Sequence, residues 1–179
     1  MTADSTQRPE RLTRNNALLL LVDHQVGLYT GIRDIDVLQL KHNVVGLTRA
    51  MLALKVPVIV TTTTEKMWGP LIPELAEVLP GVPGIERTTV NAWDEKRFVD
   101  AVKATGRKNL IVTGISTDVC LAFPTIAGPL LTASRFMLSS MHRVASLRLR
   151  SIWEKTSVTG NFSCWLCEVS SASGASAAM

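Results

Sequence analysis

The residues of this chain whose types could do chemistry together are a cysteine and an aspartate, each following a short apolar run. Cys120 follows an apolar run at 110–112 and a loop that starts at Gly114, and Asp23 comes directly after the run at 17–22. Parallel strands bring their carboxyl ends to one edge of a sheet, and ligands bind at that edge. The spacing therefore predicts a thiol nucleophile beside a carboxylate base.

The loop before Cys120 is expected to affect the pKa of the thiol and the stability of an oxyanion formed beside it. A thiol at the start of a helix lies near exposed backbone N–H groups that stabilise the thiolate, so we expect a lowered pKa for Cys120. The backbone N–H groups of Val119 and Cys120 would face a developing oxyanion, and Gly114 would allow close backbone approach. Two alternatives stay open here: Cys120 could be a small buried apolar residue, and Asp23 a turn or capping residue.

The elements that must position these side chains follow an α/β pattern. Non-alternating apolar runs predict parallel strands covered on both faces, and amphipathic spacing predicts helices between them. We expect Asn91 to cap the last helix and Gly106 to end it in a left-handed turn. The predicted strands are 17–22, 56–61 and 109–115, and the predicted helices are 37–54, 71–79 and 93–105.

Composition narrows the class of protein. The 179 residues fit one domain, and 46% hydrophobic content is ordinary for a globular chain. The net charge of +4 is spread among acids without a basic stripe, so we expect no nucleic-acid partner. The longest apolar runs are too short to span a bilayer, and the first fifteen residues lack the apolar core of a signal peptide. Three cysteines without a leader favour free thiols in the cytoplasm.

Three separated segments carry a family resemblance. They are residues 20–25 (LLVDHQ), 91–94 (NAWD) and 114–124 (GISTDVCLAFP). In this order they resemble the isochorismatase-like cysteine hydrolases, especially the branch of small oligomeric hydrolases of uncertain substrate, over about residues 12–127. The resemblance implies a three-layer Rossmann-like parallel sheet with helices on both faces. It also implies a homo-oligomer that acts on a small molecule.

The resemblance also implies roles for individual residues. Asp23 would be the base, Cys120 the nucleophile, and Arg87 the third, cationic member of a triad, where the family usually has lysine. Arginine keeps its charge and does not donate protons readily, so its role would be to orient and stabilise charge. The alternative for Arg87 is a surface ion pair with Glu86 or Asp94. A cis peptide bond between Ile115 and Ser116 would shape the oxyanion site.

Three further residues are candidates for the walls of the substrate pocket, and the histidines are not candidates for a metal site. We expect Gln25, Trp68 and Trp93 to line the substrate pocket, although tryptophans at such places are as often core. Some family members bind a metal through an aspartate and paired histidines. The three histidines here, His24, His42 and His142, lack ligand spacing, so we expect no metal and no cofactor. His24 is expected to pack on the other face of the strand end.

The chain changes character after Gly128. Two serines occur in the first 127 residues and eleven in the last 52, which contain no aspartate. We predict no further buried strand there, an amphipathic helix over 136–149 and a disordered tail from 170. The pair of cysteines at 164 and 167 is expected to be incidental. The shift motivates the hypothesis that residues 128–179 are encoded out of frame, which would leave the edge of the strand at 109–115 exposed.

These observations predict a hydrolase that cleaves an amide-like C–N bond through a covalent acyl-enzyme. Members of the family that have the cysteine generally cleave such bonds, and the resemblance carries this expectation. Two alternatives come from other classes of protein. One is a non-catalytic oligomeric binding module of the same fold, and the other is an inactive product with a damaged carboxyl-terminal part.

Overall fold

The protein forms an α/β sandwich around one parallel sheet. The structure is a computed structural model, and it describes residues 11–33, 35–121 and 135–139. Five strands pair in the order β3-β2-β1-β4-β5, all in parallel. The strands are β1 (Ala17–Val22), β2 (Val58–Thr63), β3 (Gly84–Arg87), β4 (Asn109–Gly114) and β5 (Arg135–Ser139). Because β1 lies between β2 and β4, the winding reverses beside it, and the carboxyl end of β1 is the point where a ligand site is expected.

Helical segments connect the strands. Asp36 caps α2 by accepting from the backbone N–H of Gln39, and Glu95 caps α5 by accepting from that of Arg97. The α-helices are α1 (Val26–Tyr29), α2 (Val37–Ala53), α3 (Glu65–Trp68), α4 (Pro73–Val78) and α5 (Lys96–Ala104). Short helical turns at Ala92–Asp94 and Thr117–Leu121 have 3-10 and π geometry. Among the described residues, no helix has the length and apolar character needed to cross a membrane.

The two faces of the sheet bury separate apolar clusters. Strand β1 is buried along its whole length, and its side chains alternate between the faces. Leu19 and Leu21 pack with Leu40 of α2 and Leu75 of α4. The other cluster, which we call the Phe98 cluster, is formed by buried residues on the opposite face. Its members are Leu18, Leu20, Val22, Ala92, Trp93, Phe98, Val102, Leu110, Val112, Cys120 and Leu121. The expected three layers are therefore present.

The predicted elements are largely confirmed, with shifts at their ends. The second strand starts two residues later than expected, at Val58. The helix expected over 93–105 is divided, because Asn91 accepts from the backbone N–H of Trp93 and caps a short 3-10 turn before α5 begins. Gly106 has the expected left-handed conformation, with φ of 63°. Strand β3 was not predicted, since four residues with two charged side chains show no apolar run.

The expectation of no strand after Gly128 is wrong. Residues Arg135–Ser139 pair with β4 in parallel, which also contradicts a helix over 136–139. A short apolar run does not distinguish a buried strand from a helix by periodicity, and here pairing with β4 decides. The edge of β4 is consequently covered by β5. The expected helix beyond 139, the cysteines at 164 and 167 and the tail from 170 lie outside the described residues.

Candidate active site

Asp23 ends β1 in an unusual backbone conformation. Its φ is 57°, which is left-handed, and aspartate tolerates this region better than most residues. Strict alternation along β1 would place Asp23 on the same face as Leu19 and Leu21. Its contacts lie instead with residues that border the Phe98 cluster. The left-handed turn therefore redirects the carboxylate to the opposite face.

The Asp23 carboxylate is fully buried and accepts hydrogen bonds from three directions. The Thr61 hydroxyl donates to Oδ1 at 3.1 Å. The Arg87 guanidinium donates from Nη2 to Oδ2 and forms an ion pair with it. The Cys120 thiol also donates a hydrogen bond to the carboxyl group. The expected meeting of Asp23, Arg87 and Cys120 thus occurs.

Arg87 is buried at the end of β3, with 2% of its surface exposed. Its Nη1 donates to the backbone oxygens of Thr89 and Val90, the latter at 3.0 Å. These bonds leave Nη2 directed at Asp23, and the Nε atom has no hydrogen-bond partner among the described residues. The alternative of a surface ion pair with Glu86 or Asp94 is wrong, because the guanidinium is buried and paired with Asp23.

Cys120 lies in the π turn that follows β4 and packs in the Phe98 cluster. Gly114, at the end of β4, permits this packing. A Cβ atom built there would lie 3.0 Å from the Leu121 side chain and 3.1 Å from the backbone oxygen of Val22. Glycine is needed for this close approach, as its position in the sequence suggested.

The prediction of a lowered Cys120 pKa is wrong. Burial, then the negative charge of Asp23 and the hydrogen bond to it, raise the pKa of the thiol to about 12. A backbone hydrogen bond with Ser116 and the charge of Arg87 act in the opposite direction with smaller effect. Cys120 is the fourth residue of a five-residue turn and is buried, so it does not lie at the exposed start of a helix. The thiol is neutral at rest.

The pKa of Asp23 is also raised. Burial is the largest cause, and it outweighs the lowering effects of the Arg87 charge and of the hydrogen bonds from Cys120, Thr61 and Arg87. Carboxylate and thiol compete for a single negative charge, and Arg87 neutralises it on either atom. The arrangement can pass a proton from sulfur to carboxylate oxygen without changing the net charge of the site.

The loop expected to shape the oxyanion site lies beside the thiol. Ile115 is buried, Ser116 is half-buried and Val119 is exposed. The structure has no cis peptide bond among its described residues, so the expected cis bond between Ile115 and Ser116 is not present. A trans bond is favoured by about 2.5–4 kcal/mol when the second residue is not proline.

The three residues expected to line the pocket have different surroundings. Trp68 of α3 is 36% exposed and stays a candidate. Trp93 is buried and packs edge-to-face on Phe98, with ring centroids 5.1 Å apart, so it belongs to the core. Gln25 is fully buried and its side chain is bonded to backbone atoms of Thr63 and Gly69. Gln25 therefore does not line a pocket.

His24 faces away from Asp23, as expected. Its ring nitrogens lie 3.0 Å from the Tyr29 hydroxyl and 2.9 Å from the Thr113 hydroxyl. Among the described residues, no group of three histidine, cysteine or acidic side chains could hold a metal ion. Sequence reasoning missed Thr61, whose hydroxyl holds Asp23. The signal was the run of four threonines at the end of β2.

Comparison with known proteins identifies the family of this chain. The Isochorismatase domain matches residues 17–126, which include Asp23, Arg87 and Cys120. The chain belongs to the isochorismatase family. An Escherichia coli (strain K12) relative, described as "Probable hydrolase YcaC", is 47% identical over 119 residues, covering 65% of this chain and 57% of the relative. The matched part of this chain therefore spans little more than half the length of that relative.

Solved structures of related proteins share the fold of this chain. The YcaC gene product from Escherichia coli, an octameric hydrolase of unknown specificity, superposes with a TM-score of 0.77 at 38% identity, covering 90% of this chain and 81% of that one. YcaC from Pseudomonas aeruginosa, solved with hexane-2,5-diol and covalent acrylamide, has a TM-score of 0.77 at 37% identity, covering 90% and 82%.

Proposed function

We propose that the protein is a cysteine hydrolase that cleaves an amide-like C–N bond through a covalent acyl-enzyme. The observation that carries the proposal is the buried chain of contacts from Arg87 to Asp23 to Cys120. A neutral thiol that donates to a carboxylate is poised to lose its proton when a carbonyl carbon comes within reach. Arg87 then stabilises the charge without taking part in proton transfer.

The reaction proceeds in two halves. Sulfur attacks the carbonyl carbon as its proton moves to Asp23, and the carbonyl oxygen becomes an oxyanion facing the N–H groups of Val119 and Cys120. The oxyanion collapses, the C–N bond breaks, and Asp23 gives its proton to the leaving nitrogen. Asp23 next takes a proton from water, which attacks the thioester. The C–S bond breaks, and the proton returns to sulfur.

The high pKa of the thiol fits this role. A thiolate at rest would react with any electrophile, whereas a neutral thiol with an adjacent base is activated mainly when the carboxylate can accept its proton. The raised pKa of Asp23 makes it a stronger base than an exposed aspartate. Covalent acrylamide on a related protein supports a nucleophilic side chain in this family, because acrylamide is attacked at its C=C bond.

Intact mass after incubation with small amides and with acrylamide tests the proposal. We expect wild-type protein to release amine from at least one amide and to gain one acrylamide on Cys120. Cys120→Ser and Asp23→Asn should abolish turnover while circular dichroism stays unchanged. In the acrylamide reaction a C–S bond forms, the C=C bond is lost, and Asp23 carries the thiol proton to the adjacent carbon. Turnover in either folded variant contradicts the roles assigned here.

One observation favours a second candidate, a non-catalytic binding module. The Cys120 thiol is neutral and largely buried, as a structural cysteine would be. Under that alternative, acrylamide would modify Cys120 no faster than the thiols at 164 and 167, and no amide would be cleaved. Cleavage of an amide, or modification of Cys120 much faster than of those two thiols, would contradict it.

We expect a homo-oligomer, since a related YcaC protein is an octamer. A small-molecule substrate follows from the proposed chemistry. Location in the cytoplasm stays a prediction from the cysteines. An inactive product of an altered reading frame would lack a cooperative thermal transition.

A further inference from the structure

Gln25 uses both the oxygen and the nitrogen of its side-chain amide in hydrogen bonds to backbone groups. Its Oε1 accepts from the backbone N–H of Thr63 at 2.7 Å. Its Nε2 donates to the backbone oxygen of Thr63 at 3.1 Å and to that of Gly69 at 2.6 Å. No part of the residue is exposed. The amide thus joins the third residue after β1 to the end of β2 and to the loop after α3.

The segment that Gln25 holds includes the left-handed turn at Asp23. The Gln25 backbone N–H donates to the backbone oxygen of Asp23 at 2.8 Å, so these two residues close one tight turn. The next backbone bonds tie this turn to the loop before α4. His24 accepts from Ile72 at 2.9 Å, and Val26 donates to Pro70 at 3.1 Å. Two connections tie the turn to β2, one on each side of it. The Asp23 backbone N–H donates to the Thr61 backbone oxygen at 3.0 Å, and the Gln25 side chain bonds to the backbone of Thr63.

The same bonds reach Arg87. Thr63 is the residue of β2 that pairs with Arg87 of β3. The following residue, Thr64, donates its backbone N–H to the Arg87 oxygen at 3.0 Å and has a left-handed φ of 41°. The backbone that carries the base and the backbone that carries the cation are therefore linked through the Gln25 amide.

We propose that Gln25 is a positioning residue that fixes the Asp23 carboxylate between Arg87 and Cys120. It acts through the backbone and does not touch the reacting atoms. Its effect on turnover rests on the proposed function, but its effect on the position of Asp23 does not.

The side chain must be glutamine for this purpose. It has to accept from one N–H group and donate to two carbonyl oxygens at the same place, which a carboxylate or an apolar side chain does not do. Gln25→Leu leaves all three backbone groups without their partner. A shorter amide would not reach both Thr63 and Gly69. Loss of these bonds frees the Asp23 turn to relax from its left-handed conformation.

Alkylation of Cys120 by iodoacetamide, followed across pH by peptide mass spectrometry, tests the proposal without a substrate. Asp23 raises the pKa of Cys120 through its charge and hydrogen bond, with Arg87 the other charge acting on the thiol. If Gln25→Leu lets the carboxylate move away, the alkylation profile shifts to lower pH. Acrylamide addition, which needs Asp23 to carry the proton, should fall about 100-fold, a loss typical of misplaced groups.

Thr48→Val is the matched control. Thr48 is also fully buried and donates to the Val44 oxygen at 2.8 Å, but it lies on α2, against the other face of the sheet. Each protein is measured at the same number of degrees below its own melting temperature. Under that condition, the alkylation profile and the acrylamide rate of Thr48→Val should match those of wild type. An unchanged alkylation profile in folded Gln25→Leu overturns the proposal. Failure of wild-type Cys120 to react with acrylamide contradicts the proposed function instead.

Gln25→Glu serves if the leucine variant does not fold. When protonated, the introduced carboxyl group can accept from Thr63 and donate to one carbonyl oxygen, whereas its ionised form faces two carbonyl oxygens. The acrylamide rate should therefore match wild type more closely at low pH and fall as pH rises, relative to wild type measured at the same pH. A constant ratio across pH contradicts the positioning role.

Discussion

At the scale of single residues, the site is organised around one negative charge. Asp23 and Cys120 are buried together and share it, and Arg87 lies beside them with its two terminal nitrogens already engaged. Removing one partner of such a buried pair is more damaging than replacing both, because the remaining charge loses its compensation. Arg87 is therefore expected to matter for stability as well as for chemistry.

Arg87→Met should lower the free energy of unfolding by about 3–5 kcal/mol at neutral pH. Arg87 lowers the pKa of Asp23, so its loss raises that pKa further above the unfolded value. A group whose folded pKa is raised contributes stability that is present at low pH and lost as pH rises through the folded pKa. The loss of unfolding free energy in Arg87→Met, relative to wild type, should therefore be larger at pH 8 than at pH 4. Urea denaturation at the two pH values measures it.

The surface residue Arg97 provides the control for this prediction. It is exposed and pairs with Glu95. Arg97→Met should change the unfolding free energy little and equally at both pH values. A deficit for Arg87→Met that shrinks as pH rises would contradict the account of the buried charge.

Asp23→Asn should separate the reactivity of the thiol from turnover. The charge of Asp23 raises the pKa of Cys120, so its removal lowers that pKa from about 12. We expect faster alkylation of Cys120 by iodoacetamide at pH 9, although amide turnover is lost with the base. Slower alkylation in a folded variant would show that Asp23 does not raise the thiol pKa.

At the scale of elements, two short helices support the active-site edge through very close backbone contact. A Cβ atom at Gly27 of α1 would lie 2.7 Å from the backbone oxygen of Trp68 in α3. Gly69, which accepts the Gln25 bond, has a positive φ of 74° and would place a Cβ atom 2.6 Å from Val26. Glycine at these two positions lets α1 and α3 pack beside the turn at Asp23.

Gly27→Ala should destabilise the protein by about 1–3 kcal/mol, because the obstructing atoms belong to backbone and must shift. Gly46→Ala is the matched control on α2, since a Cβ atom there meets nothing within 4 Å. The control should stabilise the protein by about 1 kcal/mol through helix propensity. Thermal melts of both variants measure the difference, and equal shifts would contradict the close contact.

At the scale of the whole molecule, the sheet continues into the part of the chain whose composition changes. Strand β5 pairs with β4 along five residues and covers an edge that would otherwise be exposed. The hypothesis that residues 128–179 are encoded out of frame stays a prediction. Sequencing of the gene across codons 120–135 tests it, and an intact frame shared with close relatives would end it.

Replacing Arg135–Ser139 by a Ser-Gly segment of equal length should cause aggregation. Such a segment has low strand propensity, so the hydrogen-bonding groups of β4 would be left for pairing with another chain. Light scattering on a sizing column measures the result. Wild-type protein should elute as a defined oligomer, whereas the variant should form polydisperse material. A monodisperse variant would show that β5 is not needed to protect β4.

The sequence by itself determined the three central strands, the helices between them and the positions of Asp23 and Cys120 beyond two strands, whereas the family resemblance alone proposed Arg87 as their partner. Local patterns carry this information, since a buried parallel strand needs a continuous apolar run and Asp23 and Cys120 stand just beyond two of them. Only the tertiary structure decided the direction in which Asp23 faces, the neutral state of Cys120, the bonds of Gln25 and the pairing of β5. Each depends on atoms brought together from distant parts of the chain, where burial and mutual charge outweigh local preference.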